Sequence, residues 1–303
     1  MQRSISGSTY LAGCLAAVLL LAGCASERQY PAPVMPAASL PHFAPGDAFS
    51  FDDGRTEKVM AVAGDRVTWS SGPNFRFVTS RNILLPRLEW ESNVEQGERK
   101  LDVAPDTLWP LATGRSATLH YREHIADRAG GSGDDSIETL TCRVSGTAAV
   151  PTKAGAFDTY RVTCQRKSHS WLTAFAAERT FFYAPALGYY VRREDRYPGE
   201  SRRAIELTDF QTAEPALPAG VDAMRRQTVQ MALETKLSGE RLGWQAPNHA
   251  ANGTVEPLRT FRDAAGRFCR LYAEQINSAG RIYRFNGEAC RLADARWHPV
   301  EVP

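Results

Sequence analysis

The chain divides by the pattern of its apolar positions. Residues 11–21 form one apolar run behind a short start whose single cation is Arg3. A run of that length is too short to span a bilayer comfortably and reads as the core of a secretory signal. Residues 25–45 lose the pattern and carry Pro31, Pro33, Pro36, Pro41 and Pro45. Such a segment predicts a semi-rigid tether of up to about 60 Å, at ~3.1 Å per residue. From Gly46 the pattern turns to short β-prone runs, 59–63, 66–69 and 75–79, separated by Gly64-Asp65 and Gly72-Pro73-Asn74. This is hairpin grammar, and it predicts a small antiparallel unit ending near Trp90. After a charged stretch at 95–100, residues 117–126 alternate strictly, with Leu119, Tyr121 and Ile125 on one face and His120, Arg122 and His124 on the other. Residues 128–135, with Gly130, Gly131 and Gly133, read as a hairpin loop. Further strands are predicted at 137–144, 159–164, 179–184, 189–193 and 204–210.

Residues 211–220, with Pro215 and Pro218, read as a linker. Asp222 then caps a predicted helix running to about Leu237, with Val229, Ala232, Leu233 and Leu237 at helical spacing and Gly239 at its end. Ser278-Ala279-Gly280 and Asn286-Gly287 are turn signals bounding residues 281–285, so 268–291 reads as a three-strand meander. The expected fold is mainly β with an α+β C-terminal domain, built from antiparallel sheets. Its modules are 46–210, divisible into a small unit at 46–98 and a sheet at 99–210, and 221–303.

Leu21-Ala22-Gly23-Cys24, at the end of the apolar run, resembles the lipobox of bacterial lipoproteins. The resemblance implies removal of residues 1–23 and acylation of Cys24, which becomes the membrane anchor at the head of the 24–45 tether. The same tetrapeptide ends at Cys14, but there the apolar run lies after the cysteine and cleavage would leave it on the product. Ala25 stands where aspartate often marks inner-membrane retention, so the resemblance leans to the outer membrane. Export places the chain in an oxidising compartment, where Cys142, Cys164, Cys269 and Cys290 read as disulfides. Four cysteines allow three pairings, and the expected ones join neighbours within each module, Cys142 with Cys164 and Cys269 with Cys290. The chain-entropy model gives each bridge roughly 3 kcal/mol. Zinc wants a closer ligand pair, so no metal is expected. The net charge of +2, with basic pairs Arg192-Arg193, Arg202-Arg203 and Arg225-Arg226 scattered among carboxylates, gives no case for nucleic acid.

Toward the C-terminus come Gly243-Trp244-Gln245-Ala246-Pro247-Asn248, Asn252-Gly253-Thr254-Val255-Glu256-Pro257, Phe268-Cys269-Arg270-Leu271-Tyr272, Gly287-Glu288-Ala289-Cys290-Arg291 and Arg296-Trp297. In that order, after a helix, they resemble the rickettsial-type outer-membrane surface antigen domain. The chain departs from the pattern at His249, where a threonine-glycine turn is expected, and at Ala295, where a glycine-like turn precedes the last tryptophan. Trp244 and Trp297 read as core or rim aromatics closing a small sheet, with ligand stacking as the alternative.

Catalytic patterns are few. His120-Tyr121-Arg122-Glu123-His124 matches the His-x-x-Glu-His order of one metallopeptidase class, but that site needs helical spacing and the alternation here predicts a strand. Glu89 and Glu91 flank Trp90 and share a strand face, which imitates a glycosidase pair. No nucleophile elbow, phosphate loop or dinucleotide fingerprint occurs in the sequence. The sequence therefore points to a non-enzymatic, lipid-anchored envelope protein without cofactor. Its expected partners are the membrane, through acyl chains, and an envelope protein or peptidoglycan. The alternatives are a lipid or lipoprotein carrier with an apolar cavity in the middle domain, and an envelope hydrolase.

Overall fold

A 12-stranded antiparallel barrel takes up the middle of the chain in this computed structural model, which describes residues 32–128, 133–168 and 176–300. Cys14, Cys24 and the lipobox lie outside the described residues. The strands are β1 (Ala48–Phe51), β2 (Thr56–Ala63), β3 (Arg66–Ser71), β4 (Arg76–Ser80), β5 (Glu89–Glu91), β6 (Glu95–Leu101), β7 (Ser116–Asp127), β8 (Asp134–Thr152), β9 (Gly155–Ser168), β10 (Ala176–Ala184), β11 (Tyr189–Arg196) and β12 (Arg203–Gln211). Each pairs with the next in sequence, and β1 closes the ring by pairing with both β2 and β12. The 46–98 unit and the 99–210 sheet are thus one barrel, and the charged stretch at 95–100 is strand β6. Alternation sends Phe49, Val67, Trp69, Phe77, Leu119, Tyr121, Val162 and Leu207 inward, all buried.

About eight strands enclose an interior that strand side chains can fill, so twelve need more. Three segments supply it. Residues 81–88 fold back so that Ile83, Leu84 and Leu85 are buried in the core, and the β6–β7 connection adds Leu108, Trp109 and Leu111. The third is the N-terminal strap. Thr147 donates to Pro33 O at 2.6 Å, Tyr160 donates to Pro36 O at 2.7 Å, and Ala38 makes a two-way β-bridge with Leu111. Arg81 donates to Pro41 O at 2.9 Å, and the Phe43 ring meets Trp69 edge-on at 5.0 Å. The expected tether is therefore shorter than residues 24–45, because from Pro33 the chain is packed against the barrel.

Helix α1 (Ala219–Thr235) lies on a five-stranded sheet in the order β13 (Leu242–Gln245), β14 (Ala251–Arg262), β15 (Phe268–Ser278), β16 (Arg281–Arg291) and β17 (Trp297–Pro299). Asp222 is not the cap. The helix begins after Pro218, and Asp222 sits in the first turn, paired with Arg225 and Arg226. Its last carbonyls are taken by Arg270, which donates to Leu233 O and Lys236 O at 2.6 and 2.9 Å, a cation placed at the negative end of the helix. Gly239 lies beyond the end and donates to Pro257 O. The predicted meander is a hairpin, β15 and β16, joined through Ala279 and Gly280, both at positive φ. Across the 211–220 segment the sheet is joined to the barrel: Thr212 N donates to Arg284 O at 2.7 Å, Ile282 N to Ala186 O at 2.8 Å, and Arg281 to His42 O at 2.9 Å.

Candidate functional site

Inside the barrel, at the end opposite the strap, a cavity of 370 Å³ remains. Its floor is an aromatic layer in which Tyr189 stacks on Phe49 at 4.0 Å and on Tyr190 at 4.7 Å. Both tyrosines face inward because the β10–β11 register shifts after Phe182, where Phe182 pairs with Arg192 but Tyr183 with Tyr190. Their hydroxyls donate to one carboxylate oxygen of buried Glu57, at 2.6 and 3.1 Å. Burial, and then the Glu57 charge, pushes both hydroxyls above the ordinary phenol range, so both remain donors. The other Glu57 oxygen is approached by Arg55 at 3.6 Å and Arg87 at 3.9 Å.

Above Glu57 the wall carries Arg55, Arg87, Arg99, Arg166, Arg179 and Arg193 against Glu57, Glu178 and Asp195. Guanidinium groups lie over rings: Arg87 over Phe75 and Phe77 at 4.6 and 4.3 Å, and Arg99 over Trp90 at 4.2 Å. Arg99 is paired with Glu123, and Arg179 and Arg193 share Asp195. Arg87 makes no side-chain hydrogen bond among the described residues, although a third of its side chain stays accessible. Burial lowers its proton affinity from the usual arginine value, against the pull of Glu57. Two further wall atoms, Arg55 Nη2 and the Tyr121 hydroxyl, are buried without a hydrogen-bond partner. Burial pushes the Tyr121 hydroxyl up to about 12. Glu138, also buried, stands opposite Tyr121 on β8.

This wall is not the apolar cavity that a lipid carrier needs, since guanidinium groups and carboxylates line it. Nor does the hydrolase constellation assemble. His120 and His124 are on the outer face, bonded to Thr139 and Asp135 at 2.9 Å each, while Glu123 points inside to Arg99. A strand cannot bring the two imidazoles and the glutamate to one metal. Glu89 and Glu91 are exposed outside, paired with Arg66 at 2.5 Å and Arg128 at 3.8 Å, and Trp90 between them points inward. Among the described residues the ligand-like group Asp263, Cys269 and Cys290 has its two sulfurs in a disulfide and offers no thiolates.

Cys142–Cys164 joins directly paired residues of β8 and β9 inside the barrel, and Cys269–Cys290 does the same on β15 and β16. Trp244 and Trp297 are buried in the core under α1, which leaves no free face for ligand stacking. Trp297 is pinned to the helix by Gln230 and by Glu234, which accepts from its indole N–H at 3.0 Å. The arginine wall was not singled out from the sequence. The usable signal is phase: Arg166 follows Tyr160, Val162 and Cys164 at period two, and Arg179 precedes Phe181 and Tyr183 in the same way.

Residues 231–298 match the family model described as 17 kDa outer membrane surface antigen. The 17 kDa surface antigen of Rickettsia japonica is 36% identical over 86 residues, covering 27% of this chain and 54% of the relative. That of Rickettsia prowazekii is 37% identical over 73 residues, covering 24% and 46%. The chain spans about half the length of the curated relatives it matches. Among solved structures, the hypothetical lipoprotein YmcC of Escherichia coli K12 is similar at 13% identity and a TM-score of 0.38, covering 57% of this chain and 84% of that one. An exported protein of Bacteroides fragilis with a YmcC-like fold gives 12% and 0.36, covering 58% and 100%. No helix among the described residues is long and apolar enough to cross a membrane. The surface-antigen matches support a protein of the cell envelope that carries a rickettsial-type surface antigen domain at residues 231–298, the end of α1 and the sheet packed under it.

Proposed function

We propose that the chain is an outer-membrane lipoprotein, held by acylated Cys24, that acts without catalysis as a binding module whose ligand site is the barrel cavity. The observation that carries this is the placement of strap and cavity at opposite ends of one barrel. Cys24 and Pro33 are nine positions apart in the sequence, so the chain between them reaches at most roughly 30 Å at ~3.3 Å per residue. On this reading the cavity end is the one that meets an envelope protein or peptidoglycan. Beside its ion pairs and ring contacts the wall carries the Arg55 Nη2 and Tyr121 hydroxyl donors without hydrogen-bond partners, which a ligand can engage.

The test is in-cell photo-crosslinking from Ser201, in the β11–β12 turn beside the cavity, and from Lys153, in the β8–β9 turn at the strap end, with both positions exposed. An envelope partner is expected from Ser201 and not from Lys153, and Cys24→Ala is expected to move the protein out of the membrane fraction. Equal capture from both positions, or a Cys24→Ala protein that stays membrane-bound, overturns the proposal.

A further inference from the structure

We infer that the barrel cavity is a receptor for an oxyanion, a carboxylate or phosphate group carried by a small ligand. The inference deepens the binding-module reading and rests on it. Six arginines face three carboxylates in the wall; of the buried carboxylates behind it Glu123 is committed to Arg99, while Glu138, opposite Tyr121, has one oxygen without a hydrogen-bond partner. The donors left over matter more than the count. Among the described residues the Arg87 guanidinium makes no hydrogen bond and only a 3.9 Å ion contact with Glu57, Arg55 Nη2 has no hydrogen-bond partner, and the Tyr121 hydroxyl, buried to all but 2% of its residue surface, has none. A buried donor without an acceptor is costly, so Arg55 Nη2 and the Tyr121 hydroxyl, with the partly accessible Arg87 guanidinium beside them, mark a place where an acceptor belongs. Guanidinium groups match carboxylate and phosphate oxygens in pairs, and being weakly hydrated they give up water readily. Phe75, Phe77 and Trp90 hold Arg87 and Arg99 flat, so little freedom is lost when an anion docks. Glu57 supplies a counter-charge to the wall guanidinium groups, and its tyrosine hydrogen bonds fix it in place. A cavity of 370 Å³ fits a small ligand.

The test uses the full lipidated chain in non-ionic detergent at low salt, titrated calorimetrically with inorganic pyrophosphate and, separately, with citrate. At least one is expected to bind: pyrophosphate alone assigns a phosphate-bearing ligand, citrate alone a carboxylate, and both the shared oxyanion. Arg87→Met keeps a side chain of similar reach over Phe75 and Phe77 and is expected to weaken binding tenfold or more. Glu57→Gln still offers an oxygen to the tyrosines while removing the competing charge, and is expected to tighten binding at least threefold. Arg226→Met, on an exposed helix position, is expected to change nothing. Should Arg87→Met fail to fold, the Glu57→Gln gain decides alone, because damage to the fold does not tighten binding. Absence of binding by both anions, or equal affinity in wild type, Arg87→Met and Glu57→Gln, overturns the assignment. If Ser201 crosslinks persist in that case, the oxyanion falls and the binding module stands; if they too are missing, both fall.

Discussion

Gly287 stands opposite Tyr272 in the β15–β16 pair, and a Cβ there would lie 2.3 Å from the tyrosine ring. Gly97 opposite Trp90 repeats the arrangement at 2.1 Å in the barrel. In both, the ring lies over the bare backbone and occupies the space a side chain would fill. Gly287→Ala is expected to lower stability by about 1–3 kcal/mol, the usual cost of overpacking. The measurement is a thermal-melt double-mutant cycle with Tyr272→Ala, in which the pair should cost less than the two singles together; simple additivity would remove the argument. The same residue shows a limit of sequence reading. Asn286-Gly287 has the composition of a hairpin turn, yet it lies in mid-strand, because composition does not reveal the ring across the ladder. Conversely, His249 and Ala295, the two departures from the surface-antigen pattern, adopt φ of 54° and 61°. The backbone there keeps the left-handed turn that glycine would take more cheaply.

At the scale of elements, the period-two pattern made β7, β9 and β10 legible, and with them the cysteine pairs, since Cys142 and Cys164 share the inward phase of their strands. Closure was not legible. Ala48 pairs with Gln211 across the whole length of the module, and β1 is four residues long, too short to show a pattern. The strap was missed for a related reason: a proline-rich run reads as a spacer because its bonds are accepted by isolated carbonyls rather than by a ladder. One hydroxyl, Tyr160, lies within 3.2 Å of Met35 O and 2.7 Å of Pro36 O. Tyr160→Phe therefore leaves those carbonyls without that donor, and is expected to cost about 0.5–1.5 kcal/mol. Residues 33–43 should become sensitive to protease in the variant while the barrel stays resistant. Hydrogen exchange at the Ala38 amide, bonded to Leu111 O at 2.9 Å, is the direct reading, and unchanged protection there would show that the strap is held by packing alone.

Across the whole molecule, buried phenols tie both modules to one pH response. Burial pushes Tyr121 in the barrel and Tyr272 in the C-terminal sheet up to about 12 each, and raises Tyr183, Tyr189 and Tyr190 as well. Unfolded phenols lose their proton near pH 10. Between pH 10 and 12 the folded state therefore holds more protons than the unfolded state, so stability is complete below pH 10 and falls as the pH rises. The slope is about 1.4 kcal/mol per pH unit for each such tyrosine, and denaturant midpoints at pH 9, 10.5 and 11.5 measure it. Absorbance at 295 nm should meanwhile show these phenols silent at pH 11 in the folded protein. Tyr121→Phe separates the contributions: its hydroxyl is buried without a partner, so its loss should cost nothing at pH 7 in the absence of ligand and should flatten the alkaline slope by one tyrosine's share. A variant that is destabilised at pH 7 would mean that the hydroxyl already has its acceptor inside the barrel, and the cavity would then hold one donor fewer for an anion.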